Sequence, residues 1–138
     1  MPRFQFQKLR VSEEAMALVL LVDGLAAILE GHRRFYLCDQ IRRAVLSVLL
    51  NIGEAAAEHN PAEKARILGL ARRSVEEVVI GLVVAVRLNL LSEAQIAKSL
   101  NQADKVIGML TRMIVYHRNN SLKNKDTARR PKHTASNE

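Results

Sequence analysis

Apolar side chains recur along this chain at intervals of three and four residues, in four stretches separated by short polar breaks. That rhythm predicts four helices. The first spans about 12–30, with Ser12 as N-cap and Gly31 placed as a left-handed C-cap. The second spans about 37–58 and carries Ile41, Val45, Val48, Ile52 and Ala55 on one face. Asn60, Pro61, Ala62 and Glu63 form a start signal for the third, with Asn as N-cap, Pro at the first helical position and Glu closing a capping box. This helix continues to about residue 90. Ser92, Glu93, Ala94 and Gln95 repeat the logic for the fourth, whose core register is Ile96, Leu100, Ala103, Ile107, Leu110 and Ile114.

The connections are short, so successive helices are expected to be antiparallel neighbours in an all-α, up-down-up-down four-helix bundle. The bundle domain is placed at residues 1–118. Beyond it the apolar rhythm stops. Residues 119–138 hold Lys123, Lys125, Arg129, Arg130 and Lys132 against Asp126 and Glu138, which reads as a disordered basic tail.

One stretch breaks the amphipathic pattern: in VVIGLVVAV, residues 78–86, only Gly81 is not apolar. The third helix therefore has no polar face across more than two turns. β-branched residues also suit a buried strand, but the stretch lies inside a capped segment of helical length. A small stripe, Ala71, Ser74, Gly81 and Ala85, suits close packing on a neighbour. A large one, Leu68, Val75, Val79, Leu82 and Val86, needs cover, as do Leu46, Leu49 and Leu50 on the second helix. Each such side chain left in water forgoes about 1.5 to 3 kcal/mol of burial. A homo-oligomer is expected, with Leu46, Leu49, Leu50, Val75, Val79, Leu82, Val83 and Val86 at its interface.

Composition agrees with a bundle. Hydrophobic residues make up 49% of the 138 positions but aromatics only 4%, with no Trp, so the core is aliphatic. Pro2, Pro61 and Pro131 all lie outside the strongly apolar segments. Cys38 is the only cysteine and fits a reducing compartment as a packing residue. The apolar run 15–22 follows basic residues, yet Glu13 and Glu14 intervene and Asp23 ends it, so neither an export signal nor a membrane span is expected. A cytoplasmic protein is the expectation.

No GxxxxGK[ST], GxSxG, HExxH or CxxC string occurs, and no Glu-x-x-His pair for a di-iron site. His32, His59, His117 and His133 are scattered, while Glu76 and Glu77 point about 100° apart on a helix. No enzyme activity, cofactor or metal is therefore expected.

Charge is the remaining signal, with 21 Lys and Arg against 14 Asp and Glu, a net +7. Antiparallel packing gathers Arg10, Lys64, Arg66, Arg72, Arg73 and Arg112 at one end of the bundle, and Arg42 and Arg43 toward the other. Cations spread over a surface suit phosphates, so RNA or DNA is the expected partner, bound by its backbone because few aromatics are available for stacking. The alternative is that these arginines make ion pairs within or between subunits.

The segment FYLCDQIRRAVLSVLLNIGEAA, residues 35–56, resembles the "QIRRA…S…NIAEG" signature of the bacterial four-helix bundle proteins. That family includes proteins encoded in 23S rRNA intervening sequences and the accessory variability determinant of diversity-generating retroelements. The likeness continues in EKARILGLARRSVEEV, LNLLSEAQ and DKVIGMLTRMI, and covers about 4–117. It implies a pentameric, barrel-like assembly with a basic surface and, for the retroelement branch, association with a reverse transcriptase and its template RNA and cDNA. Arg42, Arg43, Asn51 and Glu54 match the signature and by that likeness sit at subunit contacts or the bundle end. Gly53 and Ala56 are exchanged relative to "NIAEG", and Ser12 stands where the family has an aromatic. The opening FQFQKL is closer to the intervening-sequence branch, the segment after Glu54 and the basic tail to the retroelement branch. The alternative within the family is a structural oligomer that docks another protein and meets no nucleic acid.

Overall fold

The computed structural model describes residues 2–131, and among them every regular element is helical. A 3-10 turn at Gln5–Lys8 leads into α1 (Arg10–Gly31), α2 (Phe35–Ala57), α3 (Pro61–Arg87) and α4 (Glu93–Arg129). α2 packs between α1 and α3, α3 between α2 and α4, and α4 closes back on α1. This is the expected four-helix order.

The core follows the sequence rhythm closely on α2, where Ile41, Val45, Val48, Ile52 and Ala55 are all buried. On α4 the buried stripe is Ile96, Ser99, Ala103, Val106, Leu110 and Ile114, while Leu100 and Ile107 are half-buried. A helix turning every 3.6 residues drifts off a strict heptad, which explains the shift. Glu14 fastens α1 to α4: one carboxylate oxygen meets Lys105 Nζ at 2.9 Å, and the other accepts from Gln102 Nε2 at 2.8 Å. The Gln102 hydrogen bond and then Lys105 hold its carboxyl below the ordinary carboxylate value.

The predicted caps divide. Asn60 Oδ1 accepts from the Glu63 amide at 3.1 Å with Pro61 at the first helical position, but Glu63 does not reach back. Its carboxylate turns to Arg66, and the Asn60 amide donates instead to Glu58 Oε1. Ser92 and Gln95 close a full reciprocal capping box on α4. At α1 the expectation fails at both ends. The helix starts before Ser12, whose buried hydroxyl has no hydrogen-bond partner, and the left-handed residue after it is Arg33 (φ 59°), not Gly31. Val11 is buried against the core, and that burial carries α1 out beyond Ser12, while a second left-handed residue, Asn89 (φ 59°), turns α3 into α4.

The largest departure is at the end of α4. The helix does not stop at residue 118: α4 runs on to Arg129, so residues 119–129 are helical, with residues 122–129 exposed. This stretch lacks an apolar stripe, hence the reading as disorder. Yet Leu122, Lys123, Lys125, Ala128 and Arg129 are good helix formers, and no Gly or Pro intervenes before Pro131. Ser121, Asn124 and Ala128 also lie against Asn60, Pro61 and Ala62 at the start of α3. Residues 132–138 of the predicted tail lie outside the described residues. Among the described residues no helix is long and apolar enough to cross a membrane.

Candidate nucleic-acid interface

The end of the bundle where α1 and α3 begin and α2 and α4 approach their ends is built from cations on three helices. Arg10 stands at the start of α1, Lys64 and Arg66 in the first turns of α3, and Arg112 on α4. Arg10 and Arg112 flank one recess of 220 Å³, with Leu9, Val11, Met109 and Met113 between them. Lys64 lines a second of 170 Å³ with Gln5, Leu9, Ile52, Leu68, Met113 and His117. Arg66 is exposed, and its Nε donates to Glu63 Oε1 at 2.8 Å. One residue of the expected set is thus paired within its own helix, as the ion-pair alternative has it.

Arg72 is half-buried at the seam between α3 and α4, its Nη1 donating to Thr111 Oγ1 at 3.3 Å. Arg73 is exposed on the outer side of α3. Arg118 was not in the expected set. It shares a recess with Arg66, Ser121 and Leu122, and Lys125 lies beside Asn60. Lys125 is read from the sequence as part of the basic tail and proves to be on α4, and Arg118 stands two turns before it, close to the spacing that keeps one side of a helix.

Arg42 leaves the candidate set. Its Nε meets Asp23 Oδ1 at 3.1 Å and its Nη1 meets Glu30 Oε2 at 2.9 Å, with Cys38 Sγ 3.1 Å from the same nitrogen. Glu30 and then Asp23 raise its already high pKa further. The guanidinium is committed to tying α2 to α1, and pairing it with a phosphate would undo both contacts. Burial pushes the neighbouring Cys38 thiol up, as expected of a packing cysteine. Arg43 is exposed, but like Arg42 it is not part of the basic end.

The apolar face of α3 also needs correction. Val75 and Leu82 are buried inside the subunit, as is Leu68, so they cannot meet a second copy. Leu49, Val79 and Val86 are half-buried against the core. The large stripe packs inward because α3 is held between α2 on one side and α4 on the other. The small stripe serves the α2 side: Ser74 Oγ lies 3.1 Å from Ser47 Oγ, and Gly81 lies against Ile41. What remains uncovered is a third stripe, Ile80 (63% exposed), Val83, Val84 and Leu88. Of the expected interface residues Val83 belongs to it, while Leu46 and Leu50 (64%) are exposed on α2, together with Met16 and Leu20 (69%) on α1.

His117 records the field at the basic end. Burial first, and Lys64 second, hold its imidazole below the ordinary value of 6.5. A group with a depressed pKa binds fewer protons folded than unfolded, so the stability it contributes is complete above pH 6.5 and is lost as pH falls toward the folded-state pKa. Lys64→Gln is expected to raise the His117 pKa without restoring it to 6.5, because burial remains. Histidine titration followed by NMR reads this directly; an unmoved pKa would place Lys64 away from the ring.

Among the described residues, no group of three or more His, Cys, Asp or Glu side chains could hold a metal ion. An all-α bundle with a basic end and an open apolar face is the class these features define. The chain belongs to the 23S rRNA-intervening sequence protein family, whose model matches residues 7–112. Among curated proteins none matches it.

Proposed function

We propose that the chain is a non-catalytic, homo-oligomeric accessory protein that holds nucleic acid by its backbone through the basic end of the bundle. The observation carrying this reading is the meeting of Arg10, Lys64, Arg66, Arg112 and Arg118 from three helices at one end, with only Arg66 in an ion pair among the described residues. Cations so spaced fit a run of phosphates rather than one small anion. The uncovered stripe of Ile80, Val83, Val84 and Leu88 on α3, and the exposed Leu46 and Leu50 on α2, support self-association. An oligomer would repeat the basic end around its axis. The pentamer, and the role beside a reverse transcriptase with its template RNA and cDNA, rest on the sequence likeness to the retroelement branch.

The test is charge reversal at exposed positions. Replacing Arg66, Arg73, Arg112 and Arg118 with Glu is expected to remove binding to RNA and DNA while the oligomer persists. Neutralising them singly should make the dependence of affinity on salt shallower by about one unit of log–log slope each. Arg72 is left alone because of its bond to Thr111. Unchanged, salt-insensitive binding would contradict the proposal and favour a protein partner.

A further inference from the structure

The two recesses at the basic end have Leu9 and Met113 in common, so they adjoin across these two side chains and make two halves of a groove between the turn into α1 and the flank of α4. Its axis follows Met109, Met113 and His117, two steps of four residues, about 12 Å along the helix. The accessible floor is apolar, formed by the half-buried Leu9 and the two thioethers, with Ile52 and Leu68 fully buried beneath. The rim is cationic, with Lys64 from α3 at one end and Arg10 and Arg112 at the other, none in an ion pair among the described residues. At the Lys64 end the half-buried His117 ring meets exposed Tyr116 edge-on, centroids 5.1 Å apart.

We propose that this groove takes an unpaired stretch of RNA or DNA, with bases laid on the Met109, Met113 and His117 floor and phosphates on Lys64, Arg10 and Arg112. The inference rests on the nucleic-acid reading above and adds to it the kind of strand. A duplex keeps its bases stacked inside and offers the protein only backbone and base edges, so it has nothing to place on an apolar floor. A single strand can splay its bases onto apolar, imidazole or guanidinium faces while cations follow the backbone. Each recess is smaller than the roughly 300–1,000 Å³ of a drug-sized ligand site, which suits one base at a time. Charge complementarity sets the occupant: an apolar floor alone would accept many groups, but cations at both ends select a polyanion with planar apolar faces.

The experiment uses the full chain with a short single-stranded RNA, the corresponding DNA, and each annealed to its complement. The single strands are expected to bind about tenfold or more tightly than the duplexes. Met113→Ala, which removes the thioether from the middle of the floor, is expected to weaken single-strand binding about tenfold while leaving the salt slope and the weaker duplex binding unchanged. Lys64→Gln, at a half-buried surface position, should lower the single-strand salt slope by about one. Circular dichroism checks both variants, and should Met113→Ala fail to fold, Lys64→Gln and the strand preference decide. Equal affinity for single strand and duplex, with neither variant changing it, would overturn the groove and leave the backbone reading standing. No binding of any strand would overturn both.

Discussion

Replacing Ile80 and Val84 together with Asp is expected to turn the proposed oligomer into folded single subunits. The two side chains stand one turn apart on the outer face of α3, both exposed within the subunit. Burying a Val or Ile is worth about 1.5 to 3 kcal/mol, so losing two at an interface weakens association by roughly two to four orders of magnitude. Burying an unpaired carboxylate adds to that. Both positions open to solvent, Ile80 at 63% and Val84 at 39% exposure, so each carboxylate can stay hydrated in the single subunit and the cost to its own fold is small, about 1 kcal/mol or less each. Light scattering should show the mass fall while circular dichroism keeps its helical signal. A mass that stays unchanged would move the interface off this stripe.

The neighbouring position on the same helix is expected to give the opposite result. A Cβ on Gly81 would lie 2.6 Å from Ile41 Cγ1 and 3.1 Å from Cδ1, and Ile41 is itself buried in the core of α2. Gly81→Ala therefore forces α2 and α3 apart, an overpacking cost of about 1 to 3 kcal/mol. Part is offset, because Ala is better than Gly inside a helix by about 1 kcal/mol. Gly81→Leu has no comparable offset and is expected to cost on the order of 3 kcal/mol or more, a large share of the roughly 5 to 15 kcal/mol that holds a domain together. Thermal or denaturant unfolding checks this, with Gly24→Ala as control, since a Cβ there meets nothing within 4 Å. If Gly81→Leu unfolds like the parent protein, the close α2–α3 contact is not as described.

These two substitutions mark what could be read from the residues and what could not. Where apolar and polar positions alternate, as on α2, the sequence names the buried face correctly, and Ser92 with Gln95 marks the start of α4. Across residues 78–86 nearly every position is apolar, so periodicity carries no information about direction. Only the neighbours decide: α2 takes the Gly81 side, Val75 and Leu82 are buried inside the subunit, and Ile80 and Val84 are left outside. Gly81 was the available clue, since the small stripe fixes the tight contact and the outer stripe lies across the helix from the core.

The candidate site shows the same division. That Arg10, Lys64, Arg66 and Arg112 share one end follows from antiparallel packing alone. That three of them line two adjoining recesses depends on where the chain entering α1 brings Leu9 relative to Met113, which no spacing encodes. Arg42 was misplaced for a related reason. Its partners Asp23 and Glu30 lie on another helix, 19 and 12 residues earlier, and motif likeness says nothing of such pairs. The extension of α4 was missed because a polar helix has no stripe to read.

Self-association is the claim on which the repeated basic end and the assembly both depend, and sedimentation equilibrium on the full chain at micromolar concentration tests it most directly. Self-association requires a single species of two or more 15.4 kDa subunits. A helical, cooperatively folded species of 15.4 kDa would contradict it.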